Sequence, residues 1–213
     1  MNFAGPPTAI DEPAYSPLQA NREKEHFQNY TYRTDQCNRR DIATGETSQQ
    51  LAQIKSAFGM VPNMFKAAAN SPAALTSLWG AFGALGNGRL GAKLGEQIAV
   101  AIADRNNCNY SLAAHTGLGR KAGATGQVMA DAQAGRSTDP RTAADLTFAI
   151  AVVDKRAGIE TSDVDALRSA GFDDEDIVEI VAHIALNLFT NYLNVALDVP
   201  VDFPGVKLTR AAA

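Results

Sequence analysis

The feature that most constrains this fold is a succession of apolar stripes at helical period, each cut off by glycine, proline or small polar residues. The longest stripe runs through Ile177, Ile180, Val181, Ile184, Leu188, Tyr192 and Leu193, and Asp173 or Asp174 stands where a cap is needed. Upstream, Thr47 or Ser48 can cap a run carrying Leu51, Ile54 and Phe58, which Gly59 ends. Asn70-Ser71-Pro72 opens another, with Pro72 in the first turn, Leu75, Leu78, Trp79 and Phe82 on the inner face, and Gly86-Asn87-Gly88 as its stop. A third covers Leu90 to Asp104, with Leu94, Ile98, Ala101 and Ile102 inward, and after the break at Asn106-Asn107 a further helix begins at or near Cys108. Past a short Gly/Ala segment near 124–134, Asp139-Pro140 introduces Leu146, Phe148, Ile150 and Val153, and Thr161–Ala170 forms a short helix ended by Gly171. No run alternates apolar and polar residues as a half-buried strand does. The pattern predicts an all-α helical bundle, with residues 43–213 as one domain.

The 213 residues, 46% hydrophobic and 20% charged, suit one globular domain that buries about 70% of its unfolded surface. A net charge of −4 and a pI near 5.4 offer no basic field for a phosphate backbone, and no Lys/Arg cluster coincides with aromatic residues, which argues against nucleic acid. No stretch reaches the length of an apolar membrane span, and Met1–Ala20 carries prolines and acidic residues where a leader has basic and then apolar ones. The expectation is a cytoplasmic protein. Residues 1–42, rich in Pro, Asn, Gln, Arg and Glu, read as an extended or disordered arm. Its Tyr15, Phe27, Tyr30 and Tyr32 give it a means of packing on a neighbouring subunit, but no chemistry.

Four chemically useful side chains fall between positions 96 and 115: Glu96, Cys108, Ser111 and His115. Cys108, Ser111 and His115, at i, i+3 and i+7, share one helical face. A cysteine at the start of a helix meets unpaired backbone N–H groups and the positive end of the dipole, which favour the thiolate. If the flanking helices form an antiparallel hairpin, Glu96, about two turns before the break, faces His115, about two turns after it. Zinc is disfavoured for Cys108, His115 and His183, because structural zinc prefers four Cys/His ligands in close pairs.

Glu96, Cys108 and His115 match the spacing of the carboxymuconolactone decarboxylase / alkyl hydroperoxidase D-like family, whose motif runs Glu, twelve residues later Cys, then x-x-Cys, then x-x-x-His. Val61-Pro62-Asn63-Met64-Phe65, Asn70-Ser71-Pro72, the run Asn187 to Tyr192 and Asp202-Phe203-Pro204 also resemble it, so the likeness extends from about Ala43 to the C-terminus. One position departs: Ser111 replaces the second cysteine. The resemblance implies a thiol-dependent hydroperoxidase-like oxidoreductase with Cys108 as nucleophile, His115 as acid/base, Glu96 as its orienter and Ser111 as a polar neighbour. It implies no cofactor or metal, a small peroxide substrate, a thiol reductant, and a homo-oligomer such as a dimer, trimer or hexamer. In peroxidase members the cysteine nearer the histidine is the one thought to attack; serine there forms no sulfenic acid or disulfide, so a one-cysteine site needs an external thiol. Two other readings stand beside this one. One is a cofactor-free lyase of the lactone decarboxylase type acting on a small carboxylated substrate, and the other a non-catalytic helical oligomer. For His183 the sequence favours a core or interface role over lining the same cavity, and for Asn187 and Asn191 it favours fixing helix packing or a subunit contact. Cys37 ranks low as a resolving thiol because it lies outside the family region.

Overall fold

The computed structural model describes residues 45–209; the N-terminal arm and Cys37 lie outside them. Every regular element among the described residues is a helix: α1 (Gly45–Phe58), α2 (Asn63–Ala68), α3 (Pro72–Gly86), α4 (Gly91–Arg105), α5 (Asn109–Lys121), α6 (Gly126–Gln133), α7 (Pro140–Asp154), α8 (Thr161–Ser169) and α9 (Asp174–Ala196). Local chemistry sets the boundaries. Ser71 caps α3 by accepting the Ala74 N–H, with Pro72 at the first position, and Asp139-Pro140 does the same for α7 through the Thr142 N–H. Asp173 and Asp176 form a reciprocal capping box at the start of α9. Gly59 and Gly171 follow their helices with φ of +78° and +88°, the left-handed geometry expected just past a C-terminus.

Three sequence expectations shift. The first helix starts at Gly45, so Thr47 lies inside it, buried, and caps nothing. Asn63–Ala68 coils into a helix of its own, since Met64, Phe65, Ala67 and Ala68 all go into the core. The Gly/Ala segment is the helix Gly126–Gln133, capped by Thr125.

Helix α4 is the centre of the bundle. Every residue from Gln97 to Asp104 is buried, and α5, α6, α7 and α9 pack around it. It divides two apolar clusters. Val100, Ala101 and Ala103 join Ile54, Phe65, Leu75, Leu78, Leu112 and Leu146 on one side, while Ile98 and Ile102 join Phe148, Ala149, Leu167, Ile180 and Ile184 on the other. Phe65 touches Phe58, Trp79 and Phe82 at ring separations of 5.8, 5.8 and 5.4 Å. The C-terminal segment closes this side: Phe203 meets Tyr110 edge-on at 5.6 Å, and Thr209 and Gln133 hydrogen-bond the buried Asp104 carboxylate. Burial alone pushes Asp104 upward, but those hydrogen bonds hold it below the usual carboxylate range. The apolar stripe of α9 is narrower than its sequence suggests. Ile180 and Ile184 are buried, but Val181 and Tyr192 face outward with Val178 and Val195.

Asp145, on α7, stands apart from this polar bookkeeping. It is fully buried, neither carboxylate oxygen has a hydrogen-bond partner among the described residues, and desolvation raises its pKa to about 7, with Arg141 pulling only weakly the other way. Because the folded pKa exceeds the unfolded one, the folded state binds the extra proton, and stability falls as pH rises from about 4 to about 7. Asp145→Asn is expected to flatten that slope and to add about 1–3 kcal/mol at pH 8. Urea denaturation at pH 5 and pH 8 checks it; an unchanged pH slope in the variant refutes the assignment.

Candidate active site

The site is built on the hairpin of α4 and α5. Asn107, with φ of +52°, turns the chain between the helices, and Cys108 takes extended geometry as the N-cap of α5. Its Sγ accepts the Ser111 backbone N–H at 3.4 Å, so the sulfur occupies the anion-favouring end of the helix. Two turns further on, His115 Nδ1 lies 2.7 Å from Glu96 Oε2 on α4. An ionised carboxylate only accepts, so Nδ1 carries the hydrogen and Nε2 is left to give or take a proton. Close helix approach permits this pairing. Gly119, one turn beyond His115, has no side chain, and a Cβ there would meet Met129 at 2.5 Å and the Glu96 Cβ at 3.3 Å.

The hairpin brings together the residues the sequence singled out, with different exposures. Glu96 and His115 are part-buried, with side chains 19% and 12% exposed, whereas Cys108 and Ser111 are each 1% exposed. Ser111 and His115 line an apolar pocket of about 30 Å³ walled by Phe58, Met64, Phe65, Phe82 and Tyr110; Cys108 is not among its lining residues. That volume admits one or two water-sized groups. The Ser111 hydroxyl accepts from Asn194 Nδ2 at 3.3 Å, so the contact with Cys108 comes from its backbone and not from its hydroxyl.

A second, more polar cavity of about 120 Å³ lies on the other side of His115. It is lined by Glu96, His115, His183, Asn187 and Thr190, with Gly91 and Gly95 leaving the room. His183 therefore shares a cavity with His115, against the core or interface role the sequence favoured. Its place in an apolar helix hid this, because one residue's spacing does not say which neighbouring helix it meets. Asn187 and Asn191 do not tie α9 to its neighbours either: Asn187 Nδ2 donates to the His183 carbonyl on its own helix, and the Asn191 amide has no partner among the described residues. Tyr110 is a further site residue that spacing did not reveal; its hydroxyl accepts the Met64 N–H at 3.1 Å while its ring lines the apolar pocket. No group of three or more His, Cys, Asp or Glu among the described residues is arranged to hold a metal ion.

Glu96, Cys108, Ser111 and His115 lie within residues 71–154, which match the model of the carboxymuconolactone decarboxylase family. No curated protein matches the chain by sequence. Among solved structures, an uncharacterized peroxidase-related protein from Silicibacter sp. TM1040 superposes with a TM-score of 0.65 at 26% identity, over 94% of each chain. The alkylhydroperoxidase AhpD core of an uncharacterized peroxidase-related protein from Ralstonia eutropha JMP134 gives 0.68 at 26% identity, over 74% of this chain and 85% of that one. The debrominase Bmp8 gives 0.64 at 20% identity, over 74% and 86%, and shares the fold. The carboxymuconolactone decarboxylase fold is thus common to proteins named for different reactions. No helix among the described residues is long and apolar enough to cross a membrane.

If Gly119 is what allows the helices to approach, Gly119→Val pushes α5 from α4 and parts Glu96 from His115. The expected result is loss of the downfield Nδ1–H proton resonance of His115, read by NMR, with the helical circular dichroism retained. A variant that keeps the resonance contradicts this reading.

Proposed function

We propose that this chain is a hydroperoxidase-like oxidoreductase with a single redox sulfur, Cys108, served by the Glu96–His115 pair as its proton relay. The observation that carries the reading is the 2.7 Å Glu96–His115 hydrogen bond, set two turns along the helix whose N-terminus Cys108 caps. The peroxidase-related names of the two 26% identical structures support the same chemistry. The Cys108 thiolate attacks the terminal oxygen of a hydroperoxide and the O–O bond breaks. His115 gives the proton that releases the alcohol or water, and Cys108 becomes a sulfenic acid. An external thiol condenses with that sulfenic acid, releasing water. A second thiol then displaces the Cys108 sulfur from the mixed disulfide, and the thiol is restored. Glu96 fixes the imidazole and stabilises it when charged.

A second reading has its own observation. Ser111 and His115 line the apolar pocket while Cys108 does not, an arrangement suited to acid–base chemistry that needs no sulfur, as in a cofactor-free lyase acting on a small carboxylated substrate. One experiment separates the two. In a Cys37→Ser background the protein is treated with hydrogen peroxide or tert-butyl hydroperoxide in the presence of dimedone, and Cys108 is examined by peptide mass mapping. Peroxide-dependent labelling supports the redox reading; an unlabelled Cys108 removes it and leaves the acid–base one.

On the redox reading, Cys108→Ser abolishes thiol-driven peroxide consumption, and His115→Ala or Glu96→Gln slows it by about a hundredfold. Ser111→Cys, at the position whose backbone N–H already touches Cys108 Sγ, is expected to create dithiol-dependent turnover and a 108–111 disulfide visible in non-reducing peptide maps. For assembly, the outward residues of α9, Val178, Val181, Phe189, Tyr192 and Val195, supply an apolar surface for a second copy. Light scattering that returns the monomer mass at micromolar concentration would remove the oligomer from this proposal.

A further inference from the structure

The polar cavity on the α9 side of His115 is walled by a second histidine, His183. Its imidazole sits hard against α4, where a Cβ on Gly95 would meet His183 Cε1 at 3.0 Å and Nδ1 at 3.4 Å. Glycine at that position is thus what lets the ring approach Glu96, the next residue along. His183 Nε2 is buried, without a hydrogen-bond partner among the described residues, and lies 3.9 Å from Glu179 Oε1. Glu179 is already held, since its two carboxylate oxygens accept the Arg89 and Leu90 N–H groups just before α4. Two histidine–carboxylate pairs therefore share this region: Glu96–His115 from the hairpin, and Glu179–His183 from α9.

We propose that the chamber between His115 and His183 is a binding site for a neutral, oxygen-bearing head group, a hydroperoxide or an alcohol, and that His183 is the side chain holding that group opposite His115. The proposal rests on the peroxidase reading for the class of ligand and for the role of His115; since Cys108 does not line the chamber, it names where the head group is held beside His115 and not where the O–O bond breaks. The chamber, at about 120 Å³, has roughly four times the volume of the apolar pocket and the more polar wall, while His115 lines both. Charge selects the neutral head. The ionisable groups lining the chamber are Glu96, His115 and His183, and Glu179 stands behind His183. Burial holds His183 below the usual histidine range, against the opposing pull of Glu179 and Glu96, so near neutral pH its ring carries no charge with which to attract a carboxylate. A neutral imidazole is both donor and acceptor, which suits O–H and O–O groups.

The test uses a Cys37→Ser/Cys108→Ser protein, in which peroxide meets no thiol, with histidine ring Cε1–H resonances as reporters. The sequence holds three histidines. Addition of tert-butyl hydroperoxide is expected to shift His115 and His183 together, saturably and with one dissociation constant. Benzoate at equal concentration should bind several-fold more weakly. His183→Gln should weaken the hydroperoxide binding seen at His115 by about fivefold, the loss of roughly one hydrogen bond. Gly95→Ala, which displaces the ring without deleting it, should do the same and guards against a His183 variant that fails to fold. Shifts confined to His115, tighter binding of benzoate, or unchanged affinity in both variants would overturn the proposal. Because no redox sulfur remains in this protein, a failure of Cys108 chemistry in the dimedone experiment leaves this outcome independent.

Discussion

Burial of α4 on all sides is the constraint on which the rest of the structure depends. A helix with no solvent face from Gln97 to Asp104 fixes the positions of four neighbours at once, and its polar residues must find partners inside the protein. Asp104 finds them in Gln133 and Thr209, which is why the C-terminal segment folds back over the aromatic cluster. Glu96, about two turns nearer the N-terminus, finds His115. The Glu96–His115 pairing is thus one case of a general demand that this helix makes on its surroundings. Small residues meet the steric side of that demand: Gly95 admits His183 on one flank, and Gly119 admits the Glu96 side chain on another.

The pairing of Glu96 with His115 was legible in the sequence only as a condition: helical period on both sides of Asn106-Asn107 allows an antiparallel hairpin, and the contact itself comes from the structure. The cap position of Cys108 followed from the same break. What the sequence left hidden depends on rotation about the helix axes. Position 111 faces the apolar pocket and position 108 does not, although i and i+3 lie on one side of a helix, because Cys108 is the cap and its extended backbone points the sulfur into the helix end. The reach of His183 to the chamber likewise rests on the absence of a side chain at Gly95, a contact between residues 88 positions apart that no periodicity encodes. Val181 and Tyr192 looked like core residues because the α9 stripe is wide; with α3, α4 and α5 on one flank and α7 and α8 on another, they are left outside.

The serine at 111 changes what the fold can do more than its size suggests. A cysteine there would face the pocket beside His115 and could cycle with Cys108 through a disulfide. Serine leaves the pocket a hydroxyl already engaged by Asn194 and leaves the sulfur at the position with less access. The proton machinery is unaffected, since Glu96 and His115 are held by helix packing and not by either sulfur. On the proposed reading, proton transfer and electron transfer are separable, the first resting on the hairpin pair and the second on a buried cap residue.

The same fold occurs in proteins named as peroxidase-related and as a debrominase. In this chain the fixed object is an imidazole anchored at Nδ1 by a carboxylate, and its ring lines both cavities. Whichever group the flanking helices add, a thiol on α5 or a second imidazole on α9, acts against the same fixed ring. In this chain α9 adds His183, and its burial keeps it neutral beside Glu96 and Glu179. On the proposal made above, a head group between the two rings is selected by hydrogen bonding in preference to charge. A carboxylate entering the chamber would approach the Glu96 side chain, whereas a neutral O–H group incurs no such repulsion.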